Sequence, residues 1–310
     1  MKNELELRQM RYFLAVAETL HFGRAASQLR IAQPNLSLQI KKIEQTLGHA
    51  LLTRTTRGVA LTPAGQFLAA RAATLRGSFD DAIRTARRIG NGEEGTLSVG
   101  FSGSAMYGRL PFVLDRFRRQ YPKVQVQLRE MYAHEQQPLL LDGTLDVGFI
   151  RDGSRVQGLK MSSLSKEPFV AVLPQSHRLA KGSGAMSPGA LQDEPFVLFS
   201  PRIARLAFER TLAVCTAGGF TPNIALEAPQ WVTIVSLVAA GMGVSVAPES
   251  VARLNIPGAV FRRLRSRGSS SIDLWTEAAI RNPAAGHLVK IAKNEFGQNL
   301  SAASLAEPDS

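Results

Sequence analysis

FGRAASQLRIAQPNLSLQIKKIEQTLG, residues 22–48, reads as two short helices joined by a tight connection. Phe22, Ala25, Ala26 and Leu29 recur at the i, i+3, i+4, i+7 spacing of one buried helical face. The pattern breaks at Arg30-Ile31-Ala32, and Pro34 then stands at a helix start, where its missing N–H costs nothing. Leu36, Ile40, Ile43 and Leu47 resume the helical spacing until Gly48 stops it.

On a wheel of about 100° per residue, those four apolar residues share one side. Pro34, Leu38, Lys41, Lys42 and Gln45 collect on the other, with Asn35 and Ser37 nearby. These donors and acceptors suit phosphates and base edges. A solvated helix face would carry the same lysines, but it gives no reason for Leu38. A leucine at the centre of an outward face suits a partner that presents thymine methyls. The pair therefore reads as a helix-turn-helix whose second helix enters the major groove.

Working outward, Leu7 to Thr19 forms a first helix with Met10, Phe13, Leu14 and Ala17 inward, completing a three-helix core. After the third helix, LLTRTTRGVALTP alternates around a Gly58 turn with arginines at 54 and 57, a short hairpin wing beside the DNA backbone. Thr62-Pro63 then starts a helix. Along it Leu68, Ala72, Leu75, Phe79, Ala82, Ala86 and Ile89 recur at alternating spacings of 4 and 3, a coiled-coil seam for dimerisation. A helix lying on its own domain is the alternative. The run is roughly 40 Å long at about 1.5 Å per residue, and Gly90 to Gly95 is expected as a flexible linker.

Beyond it, strands and helices alternate. Strands at 96–101, 124–130 and 145–150 enclose helices at Leu110–Tyr121 and Gln136–Leu141, an order that implies a parallel sheet covered on both faces. EPFVAVLP, PFVLF (195–199), helices from about Arg202 to Ala217 and from Gln230 to Ala240, and VSVAP (244–248) form a second set. SIDLWTEAAI (271–280) and a helix over Gly286–Phe296 return the chain to the first set, and SAASLAEPDS reads as a frayed tail.

Three blocks carry a resemblance. LRQMRYFLAVAETLHFGRAASQL, AQPNLSLQIKKIEQTLG and LLTRTTRGVALTPAG together resemble the DNA-binding domain of the LysR-type transcriptional regulators over about sixty residues. LDGTLDVGFIR, EPFVAVLPQSHRLA and SLVAAGMGVSVAPES match the same family's effector-binding domain in order and spacing. The resemblance implies an α/β chain in three parts. These are a winged helix-turn-helix over 1–61, a linker and dimerisation helix over 62–91, and a two-lobed domain like the periplasmic binding proteins over 92–310. Lobe one would take about 95–161 and 268–300, and lobe two about 162–267. The implied operator readers are Gln33, Pro34, Asn35, Ser37 and Leu38, with Arg54 in the wing; Lys41 and Lys42 join them on the wheel. Many members carry arginine where this chain has Leu38, and phenylalanine where it has Leu52. Implied partners are double-stranded operator DNA, a small-molecule effector, a second copy or three more of the chain, and RNA polymerase.

Composition agrees. Residues 1–91 hold 14 Lys and Arg against 6 Asp and Glu, while residues 92–310 hold 23 against 19, so the basic excess sits at one end and implies a local polyanion. The start MKNELELRQM lacks an apolar core, and the longest apolar run, Trp231 to Pro248, is broken by Thr233, Ser236, Gly241, Gly243 and Ser245. These features predict a cytoplasmic protein without a membrane partner. Cys215 is the only cysteine and lies in an apolar run, which reads as a packed residue and precludes an intramolecular disulfide.

In open parallel sheets, ligands collect beyond the carboxyl ends of strands. Those ends here are Ser102 and Ser104, Tyr132, and Arg151 in lobe one. Phe199, Arg202 and the helix start at Trp231–Thr233 face them from lobe two. These residues are the expected effector site, for a small or aromatic carboxylate. Ser102 and Ser104 could instead cap a helix, Arg151 could pair with Asp152 or Glu130 on the surface, and Tyr132 and Trp231 could be core aromatics. An enzyme or solute-binding domain fused to a non-specific DNA-binding head is the rival reading. No Gly-x-Ser-x-Gly, His-Glu-x-x-His or phosphate loop occurs, the five histidines are scattered, and no catalytic residue, metal or cofactor is indicated.

Overall fold

The computed structural model describes residues 5–55, 58–203 and 205–303, excluding the side chains at 54, 55 and 298–303. It divides into two compact units, residues 1–87 and 88–310. Among the described residues, no helix is long and apolar enough to cross a membrane.

The first unit holds α1 (Leu7–Thr19), α2 (Phe22–Leu29), α3 (Gln33–Leu47), the antiparallel hairpin β1 (Leu52–Thr55) and β2 (Gly58–Leu61), and α4 from Pro63. Its core takes Phe13 of α1, Ala25 and Ala26 of α2, and Leu36, Ile40 and Ile43 of α3 from the faces expected from the periodicity; on α1 it also takes Val16, which that face left out, while Met10 and Ala17 are only half-buried. Burying each large aliphatic side chain contributes about 1.5–3 kcal/mol. Leu47 departs from the expected inner face: it is 39% exposed, in the last turn before Gly48 reverses the chain at a positive φ of 73°. Glu44 fixes the wing to α3, since its Oε1 accepts from the backbone N–H of Leu51 at 2.8 Å. Thr62 caps α4, with Oγ1 accepting from Gly65 N at 3.0 Å. Gly65 lies so close under the Leu51 carbonyl that a Cβ there would collide with it.

α4 (Pro63–Gly90) corrects part of the expected seam. Leu68 packs on the head's own core, and Ala72 is 2% exposed. Leu75, Phe79 and Ile89 are 61%, 52% and 50% exposed, and Ala82 and Ala86 are exposed between them. The head is wide enough to cover the first turns of the helix and no more. The stretch after Gly90, expected as a flexible linker, is fastened: Arg88 pairs with Glu94 at 2.6 Å, and Asn91 O lies 2.8 Å from His287 Nε2.

The second unit comprises two lobes. In lobe one, β3 (Glu94–Phe101) runs parallel to β4 (Lys123–Glu130) and β5 (Val147–Arg151). α5 (Leu110–Gln120) and α6 (Ala133–Leu141) connect them. The long β6 (Leu159–Pro174) follows. Lobe two adds β7 (Pro195–Phe199), α7 (Arg205–Ala217), β8 (Asn223–Ala228), α8 (Trp231–Ala239), β9 (Ser245–Pro248) and β10 (Ala259–Arg263). The chain returns through β11 (Ser269–Glu277) and α9 (Pro283–Ala303). All five residues of β5 are buried, because both faces of its sheet are covered. α5 and α9 cover one face through Phe117, Leu288 and Phe296; Leu140 of α6 covers the other beside Ile150 and Trp275.

β6 serves both lobes. Through Pro168 it pairs with β11, and from Phe169 it pairs with β9 and β10. The change of strand partners thus lies at 168/169, seven residues beyond the lobe boundary expected at 161/162. In lobe two, Phe169, Ala171 and Leu173 face α7, and Val172 faces α8, the period of 2 of a strand covered on both sides.

Candidate functional site

Two regions gather the expected residues. In the head, Gln33, Pro34, Asn35, Leu38, Lys41 and Lys42 are exposed along one side of α3, and Ser37 is half-buried. Leu38 is 53% exposed and borders a shallow groove of about 340 Å³ against Arg8, Gln9 and Tyr12 of α1. It therefore stays out of the core, as the wheel requires. The side chain of Arg54, and Arg57, lie outside the described residues.

In the second unit a cleft of about 640 Å³ opens between the lobes. Ser102, Ser104, Tyr132, Arg151, Phe199 and Arg202 all line it. Lobe one brings its share through sheet register, since Phe101 at the end of β3 pairs with Glu130 at the end of β4, and Phe149 of β5 pairs with Phe101. Thr233 does not line the cleft; Gln230 and Trp231 stand there instead. Trp231 and Thr233 are about 200° apart on one helix, so they cannot both face the same space. Phe199 and Trp231 form an apolar wall, edge to face at 4.7 Å between ring centres.

Arg151 differs from expectation in what it does. It is 8% exposed, and all five of its N–H groups are used by the protein. Nε donates to Ser104 Oγ at 2.8 Å. Nη1 donates to Glu167 Oε1 at 2.6 Å and Ser270 Oγ at 3.0 Å. Nη2 donates to the Ser104 carbonyl and to Ser250 Oγ, each at 3.2 Å. Glu167 in turn accepts from Ser250 N at 2.6 Å. Arg151 is thus neither a surface residue paired with Asp152 or Glu130 nor a free donor for a ligand. It clamps lobe one to the Glu249–Leu254 turn of lobe two. Beside it, buried Asp152 accepts from Ser270 Oγ and Ser271 N, each at 2.9 Å; burial raises its carboxyl above the ordinary carboxylate range.

Tyr132 crosses the mouth of the cleft, its Oη donating to the Pro229 carbonyl at 3.1 Å. Burial, then Glu135 and Glu130, raises its phenol above the usual value. Sequence reasoning missed Tyr107 and took Glu130 only as a surface partner. Both line the cleft. Glu130 was within reach of the strand-end argument, because it is the last residue of β4. Glu167 and Ser250 were missed because Glu167 opens the expected strand EPFVAVLP and the end of VSVAP, two residues before Ser250, was not counted among the strand ends that face the cleft.

The winged head and two-lobed unit correspond to two known families of domain. Residues 7–66 match the bacterial regulatory helix-turn-helix proteins of the lysR family, and residues 90–297 match the LysR substrate binding domain. The chain belongs to the LysR family. Within it, the uncharacterized HTH-type transcriptional regulator YnfL of Escherichia coli (strain K12) is 42% identical over 81% of this chain and 85% of its own length. HTH-type transcriptional regulator AlsR of Bacillus subtilis (strain 168) is 34% identical over 93% of this chain and 95% of its own length. Among solved LysR structures, full-length CbnR complexed with its target DNA superimposes with a TM-score of 0.81 at 28% identity, covering 94% of this chain and all of that one. The chain is accordingly a DNA-binding transcriptional regulator with an effector-binding domain. Its LysR relatives are regulators, so the enzymatic rival is set aside.

Proposed function

We propose that the chain reads an operator through Gln33, Pro34, Asn35, Ser37, Leu38, Lys41 and Lys42, with Arg54 on the flanking backbone, and senses a small carboxylate in the inter-lobe cleft. It acts in the cytoplasm as a homodimer or homotetramer, with RNA polymerase as a further partner. The parts are the head (1–61), the connecting helix (62–91) and the effector domain (92–310). Paired heads are joined through the outward residues of α4, namely Leu75, Phe79, Ala82, Ala86 and Ile89.

One observation carries the sensing half of this reading: Ser102, Ser104, Tyr132, Phe199 and Arg202, chosen from separate strand ends, line one cleft with an apolar wall. Arg151 supports it differently, by holding the lobes in register beneath the ligand. Ligand bound between lobes favours the closed arrangement that the Tyr132–Pro229 bond already spans, and that shift is what DNA contact would respond to. The test is a gel shift on the intergenic DNA beside the chain's own gene, with and without candidate carboxylates. Retardation that a carboxylate alters in the wild type, but not in Arg202→Glu, is the expected result. No retardation of that DNA over random DNA would refute operator reading, and an equal response in Arg202→Glu would refute cleft sensing.

A further inference from the structure

With Arg151 neutralised by Glu167, the remaining carboxylates and guanidinium groups that line the cleft are of opposite sign on its two sides. On lobe one, Glu130 is exposed in the cleft, and its carboxylate has no hydrogen bond or ion pair among the described residues. Its carboxylate sits directly over Gly103, where any Cβ would collide with it. Tyr107 lines the same side of the cleft; burial first, and then this same carboxylate, raises its phenol above the usual value. Glu135, the other acid lining the cleft, is engaged, accepting from Tyr132 N at 2.7 Å. On lobe two, Arg202 is exposed in the cleft and has no partner among the described residues. Arg205 is paired with Glu209 at 2.7 Å and Arg151 is saturated, so Arg202 is the arginine lining the cleft that retains its full capacity for an anion.

A ligand carboxylate placed at Ser102 and Ser104 would meet Glu130, a like charge, at close range. The anionic end therefore belongs at Arg202, whose planar guanidinium suits a carboxylate. The lobe-one end calls for the reverse, a cationic donor that Glu130 can accept from, with the Tyr107 and Tyr132 rings beside it to favour a cation. Between the two ends lie Phe199, Leu206 and Trp231, which suit an apolar body.

Resting on the cleft reading above, we infer that the effector is an apolar amino-acid-like zwitterion, its ammonium at Glu130 and its carboxylate at Arg202, and not a simple carboxylic acid.

The full chain titrated calorimetrically with matched probes tests this: L-phenylalanine, 3-phenylpropanoate and 2-phenylethylamine, then L-leucine, 4-methylpentanoate and 3-methylbutylamine. In at least one series the amino acid should bind at least about tenfold more tightly than both analogues, since each lacks one charge-assisted pairing. Glu130→Gln should remove that margin for the ammonium while leaving the carboxylate analogue unchanged or tighter. Arg202→Ala should weaken the amino acid and the carboxylate analogue together. If a des-amino acid binds as well as its amino acid, and loses affinity in Arg202→Ala, the zwitterion is overturned and the cleft stands. If no probe in either series binds, the zwitterion is likewise overturned. Binding that is indifferent to Glu130→Gln, Arg202→Ala and Phe199→Ala alike would overturn the cleft reading itself.

Discussion

Arginine at position 151 is spent on the fold. Its guanidinium is almost wholly enclosed and joins Ser104, Glu167, Ser250 and Ser270 in one network. Removing one partner of a buried ion pair leaves the other charge uncompensated, which costs about 3–5 kcal/mol. Arg151→Ala should therefore lower the calorimetric melting temperature of the unliganded chain; a variant as stable as the wild type that only loses ligand would contradict the clamp. Leu38 is the opposite kind of residue, exposed and free to act on a partner. Leu38→Ala should cost about 1 kcal/mol at the operator, the transfer energy of one or two methylenes, with little change on random DNA or in stability. A destabilised head with unchanged site preference would rule out direct readout. Cys215 is fully buried, and burial pushes its thiol up to about 12. It should resist thiol reagents at pH 8 until the chain is unfolded in denaturant, and prompt labelling of the native protein would contradict that.

At the scale of elements, α4 has two characters along its length. Ala72 is enclosed by its own head, whereas Leu75 and Phe79 present apolar surface that a single head does not cover. Ala72→Glu should unfold the head, because the charge has no partner. Leu75→Glu should leave the head's melting unchanged and produce monomers in sedimentation; an unchanged oligomer would remove the seam. The 3.5-residue repeat was legible in the sequence, but a period does not say what covers each turn. Leu68 and Ala72 fit the seam and the head core equally well by spacing, and only the third dimension separates them. β6 shows the same limit. Only its second half, EPFVAVLP, was legible as an element, and nothing in that run marked Pro168/Phe169 as the place where the strand changes sheets.

Across the whole molecule, periodicity and turn residues were enough for the head, because its core is built from contacts between neighbouring helices. Strand ends were enough to find the cleft, because parallel register brings Phe101, Glu130 and Phe149 to one level. What was not legible is the disposition of charge inside the cleft. Arg151 looked like a ligand donor by position, and it is occupied by Glu167, 16 residues further along the chain. The central claim is that occupancy of this cleft is what the chain senses. Hydrogen–deuterium exchange of the full chain, with and without each probe acid and amino acid at saturation, tests it most directly. The account predicts that at least one probe slows exchange at 102–104, 130–135, 199–203 and 229–231 together, the segments that line the cleft from both lobes. Slowed exchange confined to other segments, or none with any probe, would contradict it.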